Sequence, residues 1–172
     1  KTTGNPFDTI GQKEFYKSIE FRWYPTTKDR WRWDQVRLQF WHQDAIKSKG
    51  TPSSHGATFA ASKLLRDKWY PFLLAGWSDG NATIFKTDVI AGLGVGFDTR
   101  HRVARDVLGV AVGWGNPSND LLQDQTTAEL FYRFQLVEHV ALTPSVQYVR
   151  NPAANPNLND ALVFGLRARI TY

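Results

Sequence analysis

Residues 160–172 read DALVFGLRARITY, and an apolar side chain occupies every second position of this stretch. A repeat of two residues is typical of a β-strand, because successive side chains of a strand point to opposite faces of a sheet. One face of the predicted strand is therefore apolar, and the other carries small and basic side chains. The apolar face holds Leu162, Phe164, Leu166, Ala168, Ile170 and Tyr172, and the opposite face holds Ala161, Val163, Gly165, Arg167, Arg169 and Thr171.

The same period of two recurs along nearly the whole chain, in windows that are rich in Val, Phe, Tyr, Trp and Thr. Clusters of Gly, Asn, Asp, Pro and Ser separate these windows, as they do between strands. The pattern predicts an all-β fold of about nine strands with no convincing helix. The predicted strands cover residues 14–24, 34–43, 55–65, 69–78, 84–97, 107–115, 126–136, 140–149 and 160–172.

Two other predicted strands, at residues 34–43 and 126–136, show the same separation of an apolar from a polar face. A half-buried sheet in a soluble protein and a strand that faces lipid both produce this alternation. Periodicity alone therefore leaves open whether the apolar face meets a protein core or a membrane. The apolar sets are Val36, Leu38 and Phe40 in the first strand and Ala128, Leu130, Tyr132, Phe134 and Leu136 in the second.

The segments between the predicted strands are of two kinds that alternate along the chain. Short charged turns lie at residues 26–30, 66–68, 98–105 and 137–139, and mostly longer segments rich in Asn, Gly, Pro and Ser lie at residues 44–54, 79–83, 116–125 and 150–159. Strict alternation predicts an up-and-down antiparallel sheet with turns on one rim and loops on the other. A soluble up-and-down barrel would sort its connections in the same way.

Composition narrows the possible functions. The 172 residues contain no Cys, which excludes disulfide scaffolds, zinc–thiolate sites and thiol nucleophiles. The net charge of +5 permits an anionic partner without selecting one. The longest apolar stretches are about half the 18–20 residues that a membrane helix needs. Membrane β-strands need only about 9–11 residues with alternate apolar positions, so they stay possible.

Aromatic side chains make up 14% of the chain, with 7 Trp, and many lie near the ends of predicted strands. Such rings form two girdles around membrane barrels, where an amphipathic ring sits at the interface. Ordinary core aromatics would give the same positions, and position alone favours neither reading. The residues are Trp23, Tyr24, Trp33, Trp41, Trp69, Tyr70, Trp77, Phe97, Trp114, Tyr148 and Tyr172.

Six short stretches, in order along most of the chain, resemble one family. They are WHQDA at residues 41–45, GWSDG at 76–80, LFYRFQL at 130–136, LTPSVQY at 142–148, NP at 151–152 and GLRARITY at 165–172. With these stretches the chain resembles the C-terminal half of the OprB-type carbohydrate-selective porins of bacterial outer membranes. The last strand also resembles the signal for outer-membrane assembly, with an aromatic last residue and apolar residues in phase. The residues that fit this signal are Leu166, Ala168, Ile170 and Tyr172.

The resemblance implies a transmembrane β-barrel in the outer membrane of a Gram-negative bacterium. Porins of this type have roughly 16 strands, which leave an aqueous channel, whereas about 8 strands enclose only side chains. We therefore expect residues 1–172 to be the C-terminal portion of one porin barrel domain, with the rest supplied by another segment. The expected partners are outer-membrane lipid, permeating sugars and this N-terminal half, and a homotrimer is one assembly that the resemblance allows.

If the apolar face meets lipid, the opposite face lines the channel. A sugar offers hydroxyl groups and an apolar ring face, which suit Arg donors, carboxylate acceptors and aromatic rings. The alternative reading of each charged residue is a structural network of Arg and Glu within the wall. The candidate channel-lining and sugar-binding residues are Arg22, Gln35, Arg37, Gln39, Trp41, Glu129, Arg133, Gln147, Arg167 and Arg169.

The expected function is passive diffusion of sugars across an outer membrane, without catalysis, cofactor or metal. The four His lie on separate elements without metal-ligand spacing. A soluble lipocalin-like barrel that binds a ligand is the alternative, because its alternation is the same with inside and outside exchanged. A nucleic-acid binder is not expected, since basic residues alternate with apolar ones instead of forming one patch. No recognisable catalytic triad supports a membrane-barrel enzyme.

Overall fold

A computed structural model describes residues 14–26, 33–47, 50–79, 83–97, 106–137 and 139–170. These residues form nine β-strands, as the sequence predicts. They contain no helix that is long and apolar enough to cross a membrane. The strands are β1 (Tyr16–Trp23), β2 (Gln35–Gln43), β3 (Ser54–Ser62), β4 (Trp69–Ser78), β5 (Phe85–Phe97), β6 (Asp106–Pro117), β7 (Gln125–Val137), β8 (Val140–Arg150) and β9 (Asp160–Ile170).

All nine strands belong to one sheet, in which each strand pairs antiparallel with the next strand of the chain. The order from β1 to β9 is therefore the order of the sequence, without a crossover. This topology confirms the predicted up-and-down arrangement. We call the rim that holds residues 63–68 the turn rim and the rim that holds residues 44–47 and 50–53 the loop rim. Within the described residues the sheet is open, and β1 and β9 are its two edges.

The register of the sheet assigns every side chain to one of two faces, because directly paired residues point the same way. We call the face that contains Gln39 the polar face and the opposite one the apolar face. Polar and small residues follow one another across six strand pairs on the polar face. One such row runs through Glu20, Gln39, Thr58, Gly76, Asp88, Gly115 and Gln125.

The apolar face is exposed and covers no core. Phe164 on β9 and Ile170 near its end each expose 76% of their surface, and Leu130 in the middle of β7 exposes 49%. In the described part of the chain, Leu64 and Ala141 are the only buried hydrophobic residues. A soluble barrel would enclose its apolar side chains, so this exposure argues against the lipocalin-like alternative.

The two faces differ in how crowded they are. On β7 the residues at even positions from 126 to 130 are exposed, and those at odd positions from 125 to 129 are half-buried. Side chains on the inner side of a curved sheet approach one another, whereas those on the outer side spread apart. Two cavities also lie among side chains of the polar face. The polar face is therefore the concave side of the sheet.

The strand ends differ slightly from the prediction at the turn between β3 and β4. The sequence predicts a strand through residue 65, but β3 ends at Ser62. Leu65 instead makes an isolated bridge with Trp69. Arg66 and Asp67 between them adopt positive φ angles of 51° and 54°, which close a tight turn. Apolar residues continue past the end of the strand into this turn. A strand predicted from the period of two is therefore longer than the observed one.

Candidate channel-lining site

The ten candidate residues all lie on the polar face of the sheet, although they come from five strands. They form two groups near opposite edges of the sheet. Arg22, Gln35, Arg37, Gln39 and Trp41 lie on β1 and β2, and Glu129, Arg133, Gln147, Arg167 and Arg169 lie on β7, β8 and β9.

In the first group two guanidinium groups lie on directly paired residues. Arg22 of β1 is opposite Arg37 of β2, a like-charge pair that is unfavourable unless other charges compensate it. Arg22 Nε donates a hydrogen bond to the carboxylate of Glu20. Arg37 Nε is buried and has no hydrogen-bond partner among the described residues. Positive charge is therefore only partly compensated at this part of the polar face.

Trp41 of β2 lies flat along the concave wall. A methyl group added at Gly56, its direct partner on β3, would lie 2.6 Å from Trp41 Cζ2, so the indole covers this glycine. The Trp41 ring is also stacked on the ring of Tyr16 of β1, with centroids 6.1 Å apart and planes 20° apart. One aromatic surface is thereby held on the polar face near the loop rim.

Four residues of the second group line a cavity on the polar face, which we call the arginine cavity. Its lining includes three arginines from β7 and β9, an aromatic ring and two hydroxyl groups. Glu129 also lines it and borders a second cavity beside Asp88 and Gln147. The residues that define the arginine cavity are Phe131, Arg133, Thr143, Ser145, Arg167 and Arg169.

The three arginines of the arginine cavity share its lining with one carboxylate, that of Glu129. Arg133 Nη2 donates to Gln135 Oε1 at 2.7 Å, while its buried Nε has no hydrogen-bond partner in the described ranges. Arg167 and Arg169 are directly paired with Thr143 and Ala141 of β8, not with acidic residues. No carboxylate of the described residues lies within 4.0 Å of a nitrogen of these three arginines.

Phe131 is a residue of this cavity that the sequence analysis did not select. A methyl group added at Gly109, its direct partner on β6, would lie 2.0 Å from Phe131 Cζ. The ring therefore lies over the glycine and along the wall, as Trp41 does over Gly56. The signal was present in the sequence, because Phe131 is in phase with Glu129 and Arg133 on the less apolar face of its strand.

The predicted assembly signal is only partly described. Leu166, Ala168 and Ile170 lie on the apolar face of β9, in phase with one another. Tyr172 lies outside the described residues. Among the residues with described positions, no cluster of three or more His, Asp or Glu could hold a metal ion.

These features define a class of protein. An up-and-down antiparallel sheet with an exposed apolar face and a concave, charged face is the kind of sheet that forms the wall of a pore. Comparison with protein families agrees, because the family model described as "Carbohydrate-selective porin, OprB family" matches residues 34–172. The chain belongs to this family, whose members are outer-membrane β-barrels. Neither a curated protein nor a solved structure matches the chain.

Proposed function

We propose that the chain forms part of the wall of a passive sugar channel in an outer membrane. The polar face lines the channel and the apolar face contacts lipid. The observation that carries this proposal is that all ten candidate residues lie on the concave face, while the opposite face exposes large apolar side chains. An Arg on the lipid side would cost about 2–4 kcal/mol at the midplane, and the concave face avoids this cost.

Two levels of aromatic side chains on the apolar face support the membrane orientation. Trp77 and Trp114 lie near the loop ends of β4 and β6, whereas Trp23 and Trp69 lie near turn ends. Trp69 and Trp77 are about 26 Å apart along β4, or about 20 Å in height at a tilt of about 40°. This height is close to the apolar band of about 25 Å around membrane barrels.

Further strands of the barrel pair with β1 and β9 in this proposal. The outer backbone N–H and C=O groups of both edge strands have no strand partner within the described residues. In lipid each unsatisfied group costs several kcal/mol by rough estimate. Sheets that span a membrane therefore close into barrels, in which every strand has two neighbours. The completed barrel would have an even strand number, as single-chain bacterial barrels do.

The channel works by diffusion and needs no energy source. A sugar that enters loses part of its hydration, and Arg donors together with Glu and Gln acceptors on the wall replace those hydrogen bonds. The flat rings of Trp41 and Phe131 offer apolar surfaces to the C–H face of a sugar ring. This chemistry provides binding that is weak enough for release, as conduction requires.

Blocking of single-channel current by sugar tests the proposal. We expect glucose to reduce the current of the intact protein, and Arg133→Ala and Trp41→Ala to weaken this block. The channel should also prefer anions weakly at low salt, and the preference should fade as the Debye length falls to about 10 Å at 0.1 M. If both variants leave sugar block and ion preference unchanged, these residues serve only the structure of the wall.

A further inference from the structure

We propose that the arginine cavity binds the carboxylate of an acidic sugar, such as a hexuronate, during its passage. The inference rests on the proposed function, because it takes the polar face to be the channel wall. It goes further by naming a class of substrate, the sugar acids, and a position for it at the turn half of β7 and β9.

The charge of the cavity favours an anionic ligand. Arg133, Arg167 and Arg169 line one cavity, and no carboxylate of the described residues pairs with any of them. A guanidinium group donates two parallel hydrogen bonds to a carboxylate, and the opposite charges add an attraction that the hydroxyl groups of a neutral sugar do not provide. A neutral sugar needs hydrogen-bond acceptors as well as donors, and three adjacent guanidinium groups supply only donors, so this part of the wall favours an anionic solute.

The same cavity also has the groups that hold a sugar ring. Phe131 lies over Gly109 and leaves its other ring face toward the cavity. Ser145 and Thr143 on β8 add hydroxyl groups, and a methyl group at Gly165 would lie 2.6 Å from Ser145 Oγ. A simple anion would use the arginines alone, whereas a sugar acid would use the ring and the hydroxyls as well.

The two ends of the cavity carry opposite charges. Along β7, Glu129 lies two residues from Phe131 toward the loop rim, and Arg133 lies two residues from it toward the turn rim. Repulsion by Glu129 keeps a carboxylate away from the loop side, while this group accepts hydrogen bonds from sugar hydroxyls. The bound sugar acid therefore points its carboxylate toward the turn rim.

Current block in planar bilayers that contain the intact protein tests this inference, with galacturonate as the probe. Galactose is the neutral control, and acetate is the control for an anion without a ring. We expect galacturonate to block at a concentration about tenfold lower than galactose, since one hydrogen bond between charged groups corresponds to about that factor. It should also block at a lower concentration than acetate, which lacks the sugar ring and its hydroxyl groups. The difference should shrink as ionic strength rises.

Substitutions in the arginine cavity test whether galacturonate block arises there. Arg133→Gln and Arg167→Gln should each weaken galacturonate block about tenfold, because the positive charge is lost. Galactose block should change less than about twofold, because Gln, unlike Ala, still donates a hydrogen bond to a sugar hydroxyl group. Phe131→Leu should weaken the block by both sugars. Arg150→Gln removes the same charge from the apolar face and Phe164→Leu makes the same aromatic change there, so both should match the unmodified protein.

The outcomes separate this inference from the proposed function. Equal block by galacturonate and galactose would overturn the acidic-sugar site and leave a sugar channel. Equal block by galacturonate and acetate would overturn it too, because the cavity would then select only charge. If neither sugar blocks the current nor permeates, the proposed function itself fails.

Discussion

At the scale of single residues, Asp34 holds together two neighbouring parts of the turn rim. Its side chain is completely buried. Its carboxylate accepts a hydrogen bond from the backbone N–H of Leu64 at 2.7 Å and another from the hydroxyl of Thr26. This role could not be predicted from the sequence, because Asp34 stands at the predicted start of a strand, where a polar residue is ordinary.

Substitution of Asp34 by Ala is therefore expected to destabilise the protein. Loss of a hydrogen bond to a charged group costs about 1.5–3 kcal/mol, and we expect a decrease of that size in the free energy of unfolding. Urea unfolding of the protein in detergent micelles measures it. Asp120→Asn is the matched control, because Asp120 pairs with Lys86 at an exposed position where an ion pair contributes little. Equal effects of the two substitutions would contradict the role of Asp34.

Asp44 just beyond β2 makes the joint between β1 and β2 sensitive to pH. A hydrogen bond from Lys17 Nζ at 3.0 Å, and then one from the backbone N–H of Phe15, lower the pKa of Asp44. His42 Nε2 also contacts this carboxylate, at 3.1 Å. A carboxyl group with a lowered pKa stabilises the fold above its unfolded pKa of about 3.9, and this contribution disappears as the pH falls through the lower folded value.

We accordingly expect Asp44→Asn to be less stable than the unmodified protein at pH values above about 4. The difference should vanish in more acidic solution, where both proteins carry a neutral side chain at this position. Unfolding midpoints of the two proteins across a pH series provide the measurement. A difference that grows with acidity would show the opposite sign of linkage and contradict the assignment.

At the scale of strands, the sequence predicted which residues share a face better than which residues touch. Whether a residue lies on the polar or the apolar face depends only on the period of two, and all ten candidate residues lie on the polar face. Their role in a channel stays a prediction. Contacts such as that of Phe131 with Gly109 depend on register, and a slip of two residues would keep both faces but change every partner.

The contact between Phe131 and Gly109 yields a prediction for the β6–β7 pair. Gly109→Ala places a methyl group on the Phe131 ring and should cost about 1–3 kcal/mol by overpacking. Gly113→Ala on the same strand and face is the control, since its nearest contact would be Ile90 Cγ1 at 3.3 Å.

Adding Phe131→Ala to Gly109→Ala should recover part of the lost stability, because the two sites are in contact. Unfolding free energies of the single and double variants form the cycle that measures this coupling. Strictly additive effects would mean that the ring does not cover the glycine.

At the scale of the whole molecule, the two faces should differ in access to water when the protein is in a membrane. The chain has no Cys, so a single introduced Cys is its only thiol. We expect Val163→Cys on the polar face to react with a water-soluble thiol reagent in lipid vesicles. Phe164→Cys on the apolar face should stay protected by lipid. Reaction at Phe164→Cys with protection at Val163→Cys would instead indicate a barrel with its apolar face inside.

The nearest-neighbour order of the sheet has a consequence for the evolution of such chains. Each strand pairs only with the strands before and after it in the sequence. Insertion of one hairpin would therefore separate a single strand pair, add three pairs, one of them within the hairpin itself, and leave every other pair in place. The polarity of the rims would be kept, and the circumference would grow by two strands. Duplication of a hairpin is thus a direct genetic route to a wider pore.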